Sequence, residues 1–525
     1  MKRHVRAGDI AHQLIDDAAS LASREPNTKR GSASSKARRK KKSSSSGRAC
    51  KKPLSSAPEP GTIDPETGRL ILAVERTLPT AEAYVEAFHH HSEGMTLRHY
   101  AGQFWEWAGN RYVEREDGSL RNRLLPWLHN AVLMIWDPEE QAWTAKDFPA
   151  NPNTLQSAQA SIQAHVHLEA TTPSPSWLTA GPNCPEPSEI IATRSSLLHL
   201  PTMKKLQPTP AFFNVNALDY DHDPRAPDPK QWNSFLRQLF RDDAQALDLL
   251  KEWFGYCLTG DTSQHKMLLI VGPKRSGKGT IARVLSGLVG RGNICGPTTS
   301  SLAGPFGLQP LIGKSLGIVS DARFAGDNIQ IVIERLLCIS GEDSLTVDRK
   351  FLPSLTMKLP TRFVFLTNEL PRLTDASGAL AGRFMILRLN ESFYGREDRT
   401  LTRRLLNERP GILNWSIEGW RHLQKRGHFL QPSSVEDALR DMEDLSSPVG
   451  AFVRECCETG QALRVWVDDL YHAWKRWCDA DGRVSVSTKQ TFGRDLAAAV
   501  TGIVTRLGTG NQRFYQGIAL KDVSA

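Results

Sequence analysis

Gly272-Pro-Lys-Arg-Ser-Gly-Lys-Gly-Thr280 is the stretch that decides the fold of this 525-residue chain. It matches G-x-x-x-x-G-K, a pattern whose glycines let backbone N–H groups close around phosphate oxygens while the lysine meets the β and γ phosphates. The apolar run Lys266–Val271 before it has strand length, and Ile281–Val289 after it has helical periodicity. Strand, loop and helix in this order predict an α/β nucleotide-binding core centred on Lys278.

The loop departs from the usual pattern directly after its lysine. Gly279 stands where a Ser or Thr normally contacts Mg²⁺, and Thr280 follows one place later. The magnesium ligand is therefore Thr280, or else water completes the metal shell. Gly-Lys-Gly-Thr also occurs in nucleoside monophosphate kinases, so the loop alone leaves a kinase and a motor open. The residues predicted to contact the nucleotide are Gly272, Pro273, Lys274, Arg275, Ser276, Gly277, Lys278, Gly279 and Thr280.

Three further polar side chains follow or precede apolar runs of strand length. Asp321 ends the run Lys314–Asp321 and is predicted to hold Mg²⁺ or its water. Asn368 ends the run Thr361–Asn368 and is placed to orient the lytic water. Arg383 precedes a fourth run, from which an arginine can reach the γ phosphate of a neighbouring subunit. The general base stays unassigned, because Ser320 occupies the position of the usual second acid.

The order and content of these segments resemble superfamily 3 helicases, in particular the phage and plasmid primase-helicase group that also includes the poxvirus primase-helicase. The resemblance extends from about residue 80 to about residue 440. Further segments similar to that group are Phe104–Trp107, Gly255–Thr262, Gly341–Lys350, Leu366–Leu373 and Pro410–Trp420.

By that resemblance, the core is an AAA+-like P-loop ATPase that uses ATP and Mg²⁺ and assembles as a homo-oligomer, a hexamer, around single-stranded or forked DNA. Asn368 becomes the sensor residue and Arg383 a finger that acts in trans. Residues 344–358 are expected to form a β-hairpin that carries Arg349 and Lys350 near its tip, where they bind DNA phosphates. A solvated turn is the alternative for those two residues.

The resemblance and the composition together divide the chain into four parts: a disordered basic tail and linker (1–79), an N-terminal helicase-associated α+β domain (80–245), the ATPase core with a helical lid (246–445) and a winged-helix-like domain (446–525). Residues 1–52 hold fifteen Lys or Arg and four acids, an excess of eleven positive charges, whereas the whole chain carries +9. Such a tail binds nucleic acid or merely keeps the chain soluble. It is too basic and Ser-rich to form a primase domain, so a separate primase and a separate polymerase are expected.

The C-terminal part is predicted to contain two helices and a strand pair. Val465–Asp479 and Ser487–Ala497 have helical patterns, and a hairpin is expected around residues 509–511. Ser487 is the predicted N-cap of the second helix. Lys489, Arg494 and Arg513 are candidate contacts to a DNA backbone, although winged helices also serve as protein-docking modules.

Composition excludes several classes of protein. Hydrophobic residues make up 40% and charged residues 23%, which is ordinary for a globular chain. No apolar run reaches the roughly 18 residues needed to cross a bilayer, so we expect no membrane partner and a location in the cytoplasm of a bacterial host cell. The eight cysteines form no C-x-x-C pair and are expected to be reduced. Cys456 and Cys457 are expected to pack within a helix over Ala451–Thr459.

The leading interpretation is an ATP-driven replicative DNA helicase of a phage, plasmid or mobile element. One alternative is an origin-binding initiator or scaffold in which ATP acts as an assembly switch, favoured by Gly279 and by the single acid at Asp321. The other is a nucleotide kinase, favoured by the Gly-Lys-Gly-Thr of the loop.

Overall fold

The computed structural model describes residues 56–179, 181, 184–241, 243–324, 328–371, 380–480 and 487–521. The predicted basic tail, residues 1–52, lies outside these ranges. The chain divides into two compact units: one runs up to Thr172 and includes Thr209–Ala211, and the other contains Pro173–Pro208 and Phe212–Ala525. None of the helices in the described ranges is long and apolar enough to cross a membrane.

The N-terminal unit is α+β. Its elements are α1 (Thr77–Phe88), β1 (Leu97–Tyr100), β2 (Gln103–Trp107), β3 (Tyr112–Arg115), α2 (Asp117–His129), β4 (Val132–Asp137), β5 (Ala142–Asp147), α3 (Pro152–His165) and β6 (His167–Leu168). β2 and β3 form a hairpin with aromatic residues in both strands, and Trp107 pairs with Tyr112. The strand order is β3-β2-β1-β6, and β4 and β5 form a separate hairpin.

Residues 56–76 do not behave as the linker that the sequence predicted. Ile71 and Leu72 are buried in the N-terminal unit, and Leu72 N donates to Val132 O at 2.8 Å. Asp64 accepts hydrogen bonds from the backbone N and the hydroxyl of Thr67, which closes a turn. Arg69 then donates to Ala131 O at 3.0 Å. A segment rich in Pro and Gly is ordered here because its two apolar side chains have a core to enter.

The first part of the second unit contains a parallel sheet and the helices that cover it. Its elements are β7 (Ser176–Trp177), β8 (Ile190–Ala192), β9 (Leu197–His199), β10 (Lys204–Leu206), β11 (Phe212–Phe213), α4 (Lys230–Phe240), α5 (Ala244–Tyr256), β12 (Met267–Val271), α6 (Lys278–Val289), β13 (Ile294–Cys295), α7 (Thr299–Ala303), β14 (Leu316–Val319), α8 (Ile329–Ser340), β15 (Leu345–Arg349), β16 (Leu352–Met357), β17 (Arg362–Thr367), β18 (Phe384–Arg388), α9 (Leu401–Asn407), α10 (Arg409–Arg426) and α11 (Glu436–Ser446).

The main sheet has the order β13-β14-β17-β12-β18, and every neighbouring pair is parallel. All five residues of β12 are buried, as expected for the central strand of a sheet covered on both faces. Side chains alternate between two cores, so Leu268 and Ile270 pack on α4, α5, α6 and α10. Met267 and Leu269 pack on the other face, against α7, α8 and α11. The result is a three-layer α/β/α arrangement that confirms the predicted α/β class.

The boundary between the two units lies at Thr172, whereas the sequence predicted a boundary at residue 245. The reason is the strongly apolar face of α4 and α5. Trp232 and Leu236 of α4 and Trp253 of α5 are buried in the same core as one face of the main sheet. These helices therefore belong with the sheet that they cover.

A smaller module ends the second unit. It contains α12 (Pro448–Cys456), β19 (Cys457–Trp466), α13 (Val467–Ala480), α14 (Lys489–Ala499), β20 (Val504–Leu507) and β21 (Arg513–Leu520). The strand order is β19-β21-β20, antiparallel throughout, and Phe452, Trp474 and Phe492 form part of its core.

Two local predictions for this module are wrong. The predicted helix over Ala451–Thr459 stops at Cys456, because from Cys457 onward the backbone pairs with β21. The N-cap of α14 is Thr488, whose side chain accepts a hydrogen bond from Thr491 N at 3.3 Å. Ser487 lies one residue too early to cap the helix.

Candidate functional site

The loop Gly272–Thr280 joins the carboxyl end of β12 to the amino end of α6. Gly272 N donates to Thr367 O at 3.2 Å, which ties the start of the loop to β17. A Cβ on Gly272 would lie 2.6 Å from Leu389 O, so only glycine fits there. Gly277 has φ +94° and precedes the first helical residue. The glycines thus bring the backbone close to its neighbours and turn it into the helix.

Lys278 is the first residue of α6, and its ammonium group is buried against the preceding loop. Nζ donates to the carbonyl oxygens of Gly272 at 2.6 Å and Pro273 at 2.9 Å, and to Asn368 Oδ1 at 3.1 Å. Burial lowers the pKa of Lys278, and the negative charge of Asp321 partly opposes that effect. A buried ammonium group surrounded mainly by neutral oxygens favours the arrival of an anion.

The sheet order brings Asp321 and Asn368 to this site. β14, β17 and β12 are adjacent and parallel, so their carboxyl ends share one edge of the sheet. Asn368 directly follows β17 and contacts Lys278, although the two residues are 90 positions apart in sequence. Asp321 lies two residues beyond Val319, where the strand ends, and has φ +52° in an exposed turn. The amide of Asn368 therefore contacts the ammonium group of Lys278, and Asp321 lies at the same end of the sheet, close enough for its charge to act on Lys278.

The residues around the predicted magnesium ligand have a different arrangement. The Thr280 hydroxyl accepts a hydrogen bond from Arg283 Nη2 at 3.2 Å. Both side chains are on α6, one turn apart. Among the described residues there is no group of three or more His, Cys, Asp or Glu side chains that could hold a metal ion. A Mg²⁺ ion that is bound mainly by nucleotide phosphates and water needs only one or two protein ligands, so Thr280 and Asp321 suffice for such an ion.

The segment that follows β18 runs alongside the loop, which sequence reasoning missed. Leu389 N donates to Val271 O, Ser392 Oγ to Lys274 O and Phe393 N to Arg275 O, at 2.8 to 3.0 Å. Arg388 ends β18 opposite Val271, and its side chain is exposed at the same edge. Strand position could have predicted this contact. The segment that follows any parallel strand adjacent to β12 lies beside the phosphate-binding turn.

Arg383 lies at the opposite edge of the sheet. It directly precedes β18, whose first residue Phe384 pairs with Met267 at the amino end of β12. Its guanidinium donates to Ser340 O at 3.2 Å and to His265 O at 3.4 Å. The length of β12 separates it from the loop, about 13 Å at 3.3 Å per residue. Arg383 therefore cannot serve the loop of its own chain.

The predicted hairpin is present as β15 and β16, but its two cations differ. Lys350 is exposed at the turn, and its backbone N donates to Gln309 Oε1 at 3.0 Å. Arg349 is only 8% exposed, and its guanidinium donates to Pro353 O at 2.8 and 2.9 Å. The Arg349 side chain holds the hairpin together and is turned away from solvent, so Lys350 is the cation that the tip presents.

The three predicted DNA contacts of the C-terminal module are exposed. Lys489 forms an ion pair with Asp468 across α13 and α14. Arg494 lies 3.5 Å from the carboxylate of its neighbour Asp495. Arg513 is the first residue of β21. Each cation can reach an anion in solvent, but two of the three already have an acidic neighbour.

Comparison with known proteins relates two segments of the chain to known sequence families. Residues 270–383, which include Lys278, Asp321, Asn368 and Arg383, match a family of unknown function called DUF5906. Residues 446–505 match a family described as poxvirus D5 protein-like. The second match covers the end of α11 and most of the C-terminal module, so the similarity to D5-like proteins is confined to that part of the chain.

The chain also has a weak likeness to apo structures of the NrS-1 C-terminal region. One is 12% identical at a TM-score of 0.43 and covers 80% of this chain and 96% of that chain. Another is 13% identical at a TM-score of 0.41 and covers 80% of this chain and 94% of that chain. A likeness at that level does not extend to function.

Proposed function

We propose that this chain is an ATPase that drives strand separation of DNA, a replicative helicase of a phage, plasmid or mobile element. The observation that carries the proposal is the buried ammonium of Lys278, in contact with Asn368 at the edge of the sheet that also holds Asp321. The proposal is supported by the relation of residues 446–505 to poxvirus D5-like proteins.

The residues of this edge fit ATP and Mg²⁺. The backbone of Gly272–Thr280 would cradle the phosphates, with Lys278 moving from its carbonyl partners to the β and γ phosphates. Thr280 and Asp321 would hold the ion directly or through water. Mg²⁺ supplies charge neutralisation at the transferring phosphoryl group. To bind the ion, the Thr280 hydroxyl must give up its hydrogen bond from Arg283. The loss costs little free energy because the Arg283 side chain is exposed and can hydrogen-bond to water instead.

ATP hydrolysis needs a water molecule held in line with the bond that breaks at the γ phosphate. It also needs positive charge that stabilises the negative charge of the transition state. Asn368 is the residue of this chain that would orient the water, because its Oδ1 already lies at the ammonium of Lys278. Arg383 would supply positive charge to the site of a neighbouring copy, since it lies at the wrong edge to serve its own. The active form is therefore a homo-oligomer, and we propose a hexameric ring.

DNA would be bound by exposed cations outside the nucleotide site. Lys350 at the hairpin tip and Lys489, Arg494 and Arg513 of the C-terminal module are the candidates, because phosphate contacts require positive charge and no particular base. Arg349 would act through the hairpin that it stabilises. The primer would come from a separate primase.

The first test is ATP hydrolysis with and without single-stranded DNA, coupled to unwinding of a forked duplex. Lys278→Ala removes charged hydrogen bonds worth about 1.5 to 3 kcal/mol each, so we expect kcat/KM for ATP to fall by about 10²- to 10⁴-fold. The matched control is Lys425→Ala, which removes an exposed lysine from the end of α10. The control should hydrolyse ATP like the native chain.

The result also separates the alternatives. Hydrolysis and ring formation without unwinding would replace the motor by an ATP-switched initiator or scaffold. Phosphate transfer to a nucleoside monophosphate, without stimulation by DNA, would establish a nucleotide kinase. Equal activity of Lys278→Ala and the native chain would exclude the whole nucleotide site.

A further inference from the structure

The segment that follows β18 presents an exposed aromatic ring beside the phosphate-binding loop. Tyr394 is 76% exposed. It lies in a turn that Arg396 N closes by donating to Phe393 O at 2.9 Å, and Gly395 in the same turn has φ +77°. Single exposed aromatic residues are common on protein surfaces and need no explanation by themselves. The position of this ring in the fold is what points to a ligand.

The turn is fixed to the loop by its backbone. Ser392 Oγ donates to Lys274 O at 2.8 Å, and Phe393 N donates to Arg275 O at 3.0 Å. Tyr394 N in turn donates to Ser392 Oγ at 3.4 Å. The Phe393 side chain packs on the core that contains α4, α5, α6 and α10. The Tyr394 ring is therefore held in place beside any nucleotide bound at the loop, and loses little conformational entropy when a ligand stacks on it.

The acidic residues around the ring do not oppose a phosphate ligand. Residues 389–400 contain three acids, and each is paired with an arginine: Glu391 with Arg241, Glu397 with Arg275 at 3.3 Å, and Asp398 with Arg404 at 2.8 Å. These pairs neutralise the negative charge of the segment. An uncharged ring is thus presented next to the loop without a free carboxylate that would repel the nucleotide.

The order of the sheet decides which end of a nucleotide faces Tyr394. Asn368 and Asp321 follow β17 and β14, which lie on one side of β12. β18 and the segment after it lie on the other side of β12. The base and the γ phosphate are at opposite ends of a nucleoside triphosphate. A γ phosphate at Lys278 and Asn368 therefore directs the base away from β17 and toward the segment that carries Tyr394.

We propose that Tyr394 stacks on the base of the bound nucleotide and makes the site select nucleoside triphosphates over polyphosphates that lack a base. This rests on the proposed function and adds the residue that recognises the base. Every nucleobase presents a π face, so the ring gives affinity for a base without choosing among the four. The phosphate contacts of Lys278 carry no such preference, because both kinds of ligand present phosphates.

The test measures equilibrium binding of the full chain to two ligands, with Mg²⁺ and without DNA: a non-hydrolysable analogue of ATP, and inorganic tripolyphosphate. Tyr394→Ala removes an exposed side chain, so the turn keeps its fold. We expect this variant to bind the ATP analogue about 5- to 100-fold more weakly and tripolyphosphate as the native chain does. Tyr394→Phe keeps the ring and should bind both ligands like the native chain.

Two controls identify the cause. Lys278→Ala should weaken binding of both ligands, because its ammonium group would contact phosphates that both contain. Phe351→Asn removes another ring of the same unit, 93% exposed at the turn between β15 and β16. Asparagine suits the φ of +64° at that position, and both affinities should stay unchanged.

Three outcomes would overturn the inference while Lys278→Ala still loses both ligands: equal binding of the ATP analogue by Tyr394→Ala and the native chain, an equal loss of both ligands in Tyr394→Ala, or an equal loss of the analogue in Tyr394→Phe and Tyr394→Ala. The second outcome would mean that the residue shapes the phosphate loop, and the third that its hydroxyl makes the contact. No binding of the analogue by the native chain, or full binding by Lys278→Ala, would reject the proposed function and the inference with it.

Discussion

Gly277 offers the sharpest test of the loop, because two glycines of the same loop should respond oppositely to the same change. Gly277→Ala puts a Cβ on a backbone with φ +94°, which costs about 1 to 2 kcal/mol. That Cβ would also lie 3.1 Å from Leu239 Cδ2 and 3.3 Å from Phe235 Cζ, two buried side chains of α4. Crowding of this kind adds about 1 kcal/mol or more. We therefore expect the free energy of unfolding to fall by about 2 to 3 kcal/mol.

Gly279→Ala is the matched control. Gly279 lies inside α6, and a Cβ there would meet the end of the flexible Arg283 side chain at 3.1 Å. Because alanine favours the helix by up to about 1 kcal/mol, this variant should be as stable as the native chain or more stable. Urea unfolding of both variants, followed by circular dichroism, gives the two differences. Equal stability of the variants, or a greater loss for Gly279→Ala, would refute the described loop geometry.

The remaining predictions concern two buried charged or titratable groups. Burial lowers the pKa of His89 to about 4 and outweighs the favourable charge of Glu106, so the stability that its neutral form provides is complete above pH 6.5 and is lost as the pH falls toward 4. Between pH 7 and pH 4.5, the free energy of unfolding should therefore fall by about 2 to 3 kcal/mol more in the native chain than in His89→Gln. Urea unfolding at the two pH values measures both changes, and equal changes in the two proteins would contradict this. Arg426→Met should destabilise the second unit by about 3 kcal/mol, because the buried Glu252 loses its partner. Adding Glu252→Gln should restore most of that loss in thermal unfolding, and no recovery would show that Arg426 acts through packing alone.

Local sequence pattern was sufficient for most elements of the second unit. The apolar runs around residues 266–271 and 361–368 contain strands, the run Ile281–Val289 is helical, and the hairpin expected over residues 344–358 is present. These predictions succeed because periodicity and turn residues act within a few positions of the chain. The errors are also local. Cys457 joins a strand because β21 supplies hydrogen-bond partners that no neighbouring residue reveals.

Local sequence pattern could not predict the boundary of the N-terminal unit or the ordered structure of residues 56–76. A segment rich in Pro and Gly resembles a linker until Ile71 and Leu72 find a core distant in sequence. The helices α4 and α5 look like independent amphipathic elements until the sheet that they cover is known. Burial is a property of the assembled unit and is only suggested by composition.

The sequence by itself determined the chemical types at the nucleotide site: a glycine-rich turn, one lysine, one acid and one amide, each at the end of a predicted strand. Only the tertiary structure decided which of them meet. The parallel order β14-β17-β12 brings Asn368 to Lys278, and the direction of β18 leaves Arg383 at the far edge. Strand direction and order arise from packing on both faces of the sheet, so a local sequence motif cannot predict them. The same packing turned Arg349 inward and left Lys350 in solvent, a difference between two adjacent cations that the sequence alone does not show.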